Sequence, residues 1–174
     1  MLRIVTDGAA DMPVEWYEKF KINLLPLRIR FCETTYIQGV DVTPDNFYKL
    51  VKEKKAIPKS SLPSPLQVVE FYRKIAQKGD QILSIHIASK MSGTFSTVEM
   101  AARELAGELD IHPFDSGAGS AALGFMCREA RILEERGLSL QEILKNLERM
   151  KHSGVVVTLT ADIPSILRRS AGDD

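Results

Sequence analysis

Residues 81–94 read Gln81-Ile82-Leu83-Ser84-Ile85-His86-Ile87-Ala88-Ser89-Lys90-Met91-Ser92-Gly93-Thr94. Gln81 to Ile87 is a short, mostly apolar run of strand length. A loop of small and hydroxyl residues follows it. Ser92-Gly93-Thr94 then announces a helix that continues to about Leu109. Ile111 to Phe114 is the next short strand, and it stops at Asp115-Ser116-Gly117. Strand, loop, helix and strand in that order describe two parallel strands joined by a crossover helix.

The flanks repeat the pattern. Leu2 to Thr6 is an apolar strand that ends at Asp7-Gly8, and Asp11-Met12-Pro13 opens a helix to about Lys21. Asn23 to Phe31 alternates, and Thr34 to Ile37 follows a polar turn at Glu33, so the two are expected to pair as a hairpin. Thr43-Pro44-Asp45 starts a helix to about Lys54. In Ile57 to Pro65, three prolines and three serines exclude a helix or a central strand. Ser64-Pro65 caps the next helix, to about Lys78, and Gly79-Asp80 ends it. Further helices run from Gly119 or Ser120 to Arg136 and from the capping box Ser139-Leu140-Gln141-Glu142. Gly154 to Thr160 reads as a last strand. The fold class is therefore α/β, a mainly parallel sheet flanked by helices.

The 174 residues carry 23 basic and 23 acidic side chains, a net charge of zero. That balance argues against a nucleic-acid binder and gives no polybasic anchor for a membrane. No stretch approaches the roughly 20 apolar residues of a membrane span. Cys32 and Cys127 are in no metal-ligand or disulfide-framework spacing, so a cytoplasmic chain with reduced cysteines is expected.

Ligands of open parallel sheets sit beyond the carboxyl ends of the strands. Three loops there combine small residues with hydroxyls or carboxylates: 6–11, 88–94 and 115–120. Helix-start N–H groups beside such hydroxyls suit a carboxylate or phosphate, although helix capping uses the same residue types. Gly117-Ala118-Gly119-Ser120-Ala121-Ala122 fits a dinucleotide fingerprint, but Glu134 and Glu135 fall in the same helix rather than after a second strand, so the fingerprint fails. Its glycines are expected to allow close helix–strand packing. A hydrolase could be built from Ser92 as nucleophile, His86 as base and Asp115 as orienter, yet no G-x-S-x-G elbow is present. His112 and His152 show no carboxylate at a useful spacing. There is no P-loop and no metal-ligand pattern.

Together the motifs resemble one family. Thr6-Asp7-Gly8-Ala9-Ala10-Asp11-Met12-Pro13 resembles the T-D-S-x-A-D-L-P opening of DegV-family proteins. Ser60-Ser61-Leu62-Pro63-Ser64-Pro65 resembles their T-S-x-P-S-P loop. Ser89-Lys90-Met91-Ser92-Gly93-Thr94-Phe95 resembles S-K-L-S-G-T-Y, and Asp115-Ser116 resembles a later D-S. The resemblance implies a fatty-acid-binding protein with no catalytic centre and no cofactor. Its acyl chain would lie in an apolar tunnel between two α/β domains, and the bound acid would be presented to a separate ATP-dependent fatty-acid kinase. Carried over by position, Ser60, Ser61, Ser92, Gly93 and Thr94 would hold the carboxylate, with Asp7, Ser89, Asp115 and Ser116 as possible additions.

Two residues depart from the pattern: Ser60 replaces threonine, and Gly8 replaces serine. The family continues past the final strand with a G-R-I segment and a second domain. By this resemblance residues 1–174 correspond to the N-terminal domain, with about 154–174 as candidates for the first elements of the second. A fragment that has lost activity and covers an apolar face by self-association is the remaining alternative.

Overall fold

The computed structural model describes residues 1–153. The expected strand at Gly154 to Thr160 lies outside them, as does any entry into a second domain. Strands β1 (Leu2–Asp7), β2 (Ile22–Leu25), β6 (Gln81–His86) and β7 (Asp110–Asp115) form a four-stranded sheet in the order β2-β1-β6-β7. All three pairings are parallel, with Ile4 beside both Ile22 and Leu83, and Ile85 beside Phe114.

Side chains alternate across this sheet, and helices cover both faces. Ile4, Leu83 and Ile85 pack with Leu123, Cys127, Ile143 and Leu147, which come from α5 (Ser120–Glu135) and α6 (Leu140–Ser153). Val5 and Ile82 pack on the other face with Val68, Tyr72, Val98 and Ala101, from α3 (Pro65–Ile75) and α4 (Thr94–Glu104). These apolar side chains leave almost no exposed surface, and their burial drives the three-layer arrangement.

A second sheet is antiparallel, in the order β4-β3-β5. It joins β3 (Arg28–Phe31), β4 (Thr34–Ile37) and β5 (Lys59–Ser61). The expected hairpin is there, with Ile29 opposite Tyr36. However, the segment from Asn23 to Phe31 is two strands in different sheets, divided at Pro26, which cannot donate to a ladder. The serine/proline segment is partly a strand, and it lies at an edge, where prolines on its flank are tolerated.

Helix bounds also differ. Asp11 closes a short 3-10 turn (Gly8–Ala10) in the left-handed conformation, φ 44°, so α1 (Val14–Lys19) begins only after Pro13. The helix from Thr94 ends at Glu104 and turns before Leu109. The helix from Pro44, α2, runs to Lys54 with Thr43 and Asn46 forming its capping box. Gly119, with a φ of −149°, has ordinary room, since a Cβ there would lie 3.7 Å from Ile87. Close packing falls instead at Gly124 of α5, where a Cβ would come within 2.7 Å of the Ala10 carbonyl oxygen.

Candidate functional site

The three loops that follow β1, β6 and β7 meet at the carboxyl edge of the parallel sheet. Asp7 ties the first loop to the second. Its Oδ2 accepts from His86 Nδ1 at 2.9 Å and from the Ile87 N–H at 3.0 Å, and its Oδ1 accepts from the Ala9 N–H. Burial pushes the Asp7 carboxyl up, but the His86 hydrogen bond, the attraction to His86 and the two backbone N–H groups outweigh it, so its pKa is lowered. Asp115 ties the second loop to the third, accepting from Ser89 N and Oγ (3.2 and 2.6 Å) and from the Gly117 N–H (3.0 Å). The Ser116 hydroxyl is buried and folded back onto Ala118. Asp7, Ser89, Asp115 and Ser116 are thus engaged in joining the loops to one another or in closing their turns.

Of the remaining expected hydroxyls, those of Ser60 and Ser61 are on exposed residues and that of Ser92 is on a half-buried one. Ser60 and Ser61 lie on β5, exposed. Ser92 Oγ lies 3.0 Å from Thr94 Oγ1 and accepts from the Thr94 N–H. Thr94 itself is buried at the first position of α4. The segment after β5 reaches this helix start, since a Cβ on Gly93 would touch Leu62 Cδ2 at 3.7 Å. Leu62 and Met91 are both substantially exposed beside these hydroxyls.

The hydrolase trio is not assembled. His86 is fully buried, and its Nε2 meets Ser84 Oγ at 2.7 Å while Nδ1 meets Asp7. Asp115 is turned to Ser89, and Ser92 to Thr94. The neighbours of the other two histidines also differ from expectation. Asp110 lies against His112, two residues along a strand, and Glu148 against His152, one helical turn back; both pairs are at the surface.

Gly8 stands where the family pattern has serine. Gln38 fills the space instead. Its carboxamide lies where a side chain on Gly8 would start, and its Nε2 donates to the Gly8 carbonyl at 3.0 Å. Nothing local in the sequence signals this contact, which spans thirty residues.

A family model described as "Uncharacterised protein, DegV family" matches residues 1–170. The chain belongs to the DegV family. It is 33% identical over 168 residues to Protein DegV of Bacillus subtilis, covering 96% of this chain and 59% of that relative. A crystal structure of DegV from Bacillus subtilis, described as a fatty acid binding protein, superposes with a TM-score of 0.80 at 34% identity, over 87% of this chain and 54% of the other. A DegV family protein from Thermus thermophilus, described by its fatty acid binding, gives a TM-score of 0.75 at 32% identity, over 87% and 53%. The chain spans between half and three-fifths of the length of these DegV relatives. Among the described residues no helix is long and apolar enough to cross a membrane.

Proposed function

We propose that this DegV chain takes part in binding a long-chain fatty acid, with the carboxylate at Ser60, Ser61, Ser92, Gly93 and Thr94. The observation that supports the reading is the approach of Leu62, the residue after Ser61, to Gly93 at the start of α4. The Thr94 N–H already donates to Ser92 Oγ. With Thr94 Oγ1 donating to it as well, Ser92 keeps its own proton for the carboxylate. Open N–H groups of the first turn of α4 add favourable partial charge. Leu62 and Met91 offer apolar surface for the first methylenes of the tail.

We infer that phosphoryl transfer falls to a separate ATP-dependent kinase, this chain supplying the groups that bind the acid. The setting is cytoplasmic, where such a kinase has its nucleotide. Delipidated protein titrated calorimetrically with palmitate tests the reading. Ser92→Ala is expected to weaken binding by about tenfold, the loss of one hydrogen bond to a charged group. Unchanged affinity in Ser92→Ala and in Ser60→Ala would remove the carboxylate from these loops. Acyl phosphate trapped with hydroxylamine should form only when this chain, ATP and the kinase are all present.

A further inference from the structure

The turn that carries Ser92 is hung on Ala88. The Ala88 carbonyl accepts from the Met91 N–H at 2.8 Å and from the Ser92 N–H at 3.2 Å. The Ser92 hydroxyl then meets Thr94, two residues on. These bonds shape the turn from within. Thr94 is buried, so the core sets the end of the turn that enters α4.

The other end is set from the loop after β7. The Ala88 N–H donates to the Ala118 carbonyl at 2.8 Å, and the Ser116 N–H to the His86 carbonyl at 3.1 Å. One side-chain tie completes the fastening. Ser89 Oγ donates to Asp115 Oδ2 at 2.6 Å, and the Ser89 N–H donates to Oδ1 at 3.2 Å. Among the described residues, no other side chain of residues 88–92 forms a hydrogen bond or ion pair outside residues 88–94. Asp115 is braced in turn, because Oδ1 also accepts from the Gly117 N–H. Burial raises its pKa, but the Ser89 and Gly117 bonds and the Lys151 charge outweigh it, so the pKa is lowered and the acceptor is a carboxylate. A hydroxyl bonded to a carboxylate at such a length is a strong tie.

Neither member of this pair suits the ligand directly. The Ser89 proton is committed to Asp115, which leaves it none to offer an anion. Asp115 would repel a second carboxylate. We propose that Asp115 and Ser89 are positioning residues, which hold the 88–92 turn so that the Ser92 hydroxyl is aimed at the bound carboxylate. The inference rests on the carboxylate reading given above.

A double-mutant cycle on the delipidated full chain, read by calorimetric titration with palmitate, tests it. Ser89→Ala and Asp115→Ala are each expected to weaken palmitate by about three- to tenfold, bounded by the whole worth of the Ser92 hydrogen bond. In a Ser92→Ala background, neither should cost more than about twofold further, whereas independent contacts would add. The gain for each methylene from decanoate to tetradecanoate should stay at about fourfold in Ser89→Ala, since only the headgroup end is disturbed. Ser89→Ala leaves Asp115 and its bond to Gly117 in place, and so carries the test if Asp115→Ala loses its fold. Additive losses, a changed methylene gain, or wild-type affinity in Ser89→Ala beside a weakened Ser92→Ala would overturn the positioning and leave the carboxylate reading standing. Wild-type affinity in Ser92→Ala would also overturn the positioning. Only if Ser60→Ala is unaffected as well does the carboxylate reading fall with it.

Discussion

Tyr72, Ser84, His86 and Asp7 form a buried chain of hydrogen bonds, 2.7, 2.7 and 2.9 Å in turn. One direction of donation satisfies every member: Tyr72 to Ser84, Ser84 to His86, and His86 to an ionised Asp7. This explains how a histidine and an aspartate sit at zero exposure inside an otherwise apolar sheet. Polar groups at such a depth hold only while their partners are present. Asp7→Asn, which places an amide before the His86 and backbone N–H donors, is expected to cost about 2–3 kcal/mol. Urea unfolding would show it as a lower midpoint. The pH dependence has a definite sign. The Asp7 pKa is lowered in the folded state, so its contribution is fully present above the ordinary carboxylate value and is lost as pH falls through the folded one. Wild-type stability should therefore decline on acidification below about pH 4, and with a shallower slope in Asp7→Asn. In the sequence, the place of His86 in a strand was readable from the apolar run of Gln81 to Ile87. Its partners Asp7 and Tyr72, from another strand and a helix, were not.

Elements were legible where an apolar run met an unambiguous stop. β1, β6 and β7 end at Asp7-Gly8, before Ala88-Ser89 and at Asp115-Ser116, where the chemistry of the loops begins. The small sheet was legible only as a hairpin, because β2 and β3 present one alternating pattern across Pro26 while pairing with different partners. Nor does periodicity reveal close approach between elements. Gly124 looks like an ordinary weak point in α5, where alanine should stabilise a helix by about 1 kcal/mol. In the fold, a Cβ there would lie 2.6 Å from Met12 Cγ and 2.7 Å from the Ala10 carbonyl oxygen. The methionine can move, but the backbone oxygen belongs to the turn that positions Asp7 and Gly8. Gly124→Ala is thus expected to destabilise by about 1–3 kcal/mol, the usual cost of overpacking, with a lowered thermal midpoint as the readout. A raised midpoint would show that α5 can draw back from the turn.

At the scale of the whole molecule, a net charge of zero constrains how a fatty acid can be held. The net charge supplies no overall basic field to gather the anion. In the proposed site the carboxylate would depend on a few hydroxyls and helix-start N–H groups, contacts that act over hydrogen-bond distance and are little affected by salt. Affinity then has to come mostly from the tail, at about 0.8 kcal/mol for each methylene buried. This gives the two opposing dependences expected of the proposed site. Across decanoate, dodecanoate and tetradecanoate, each added methylene that finds a wall should tighten binding by about fourfold. Between 50 and 500 mM sodium chloride, the change for any one acid should stay within about twofold, apart from the salting-out of the free acid itself. Calorimetric titration of delipidated protein separates the two. A steep fall in affinity with salt and a flat response to chain length would mean that charge, not apolar contact, holds the ligand. Growth with chain length that stops early would instead mark where the apolar surface proposed at Leu62 and Met91 ends. That limit matters here because the chain spans 59% or less of the DegV relatives it matches, and the remaining walls of a longer tunnel would have to come from outside it.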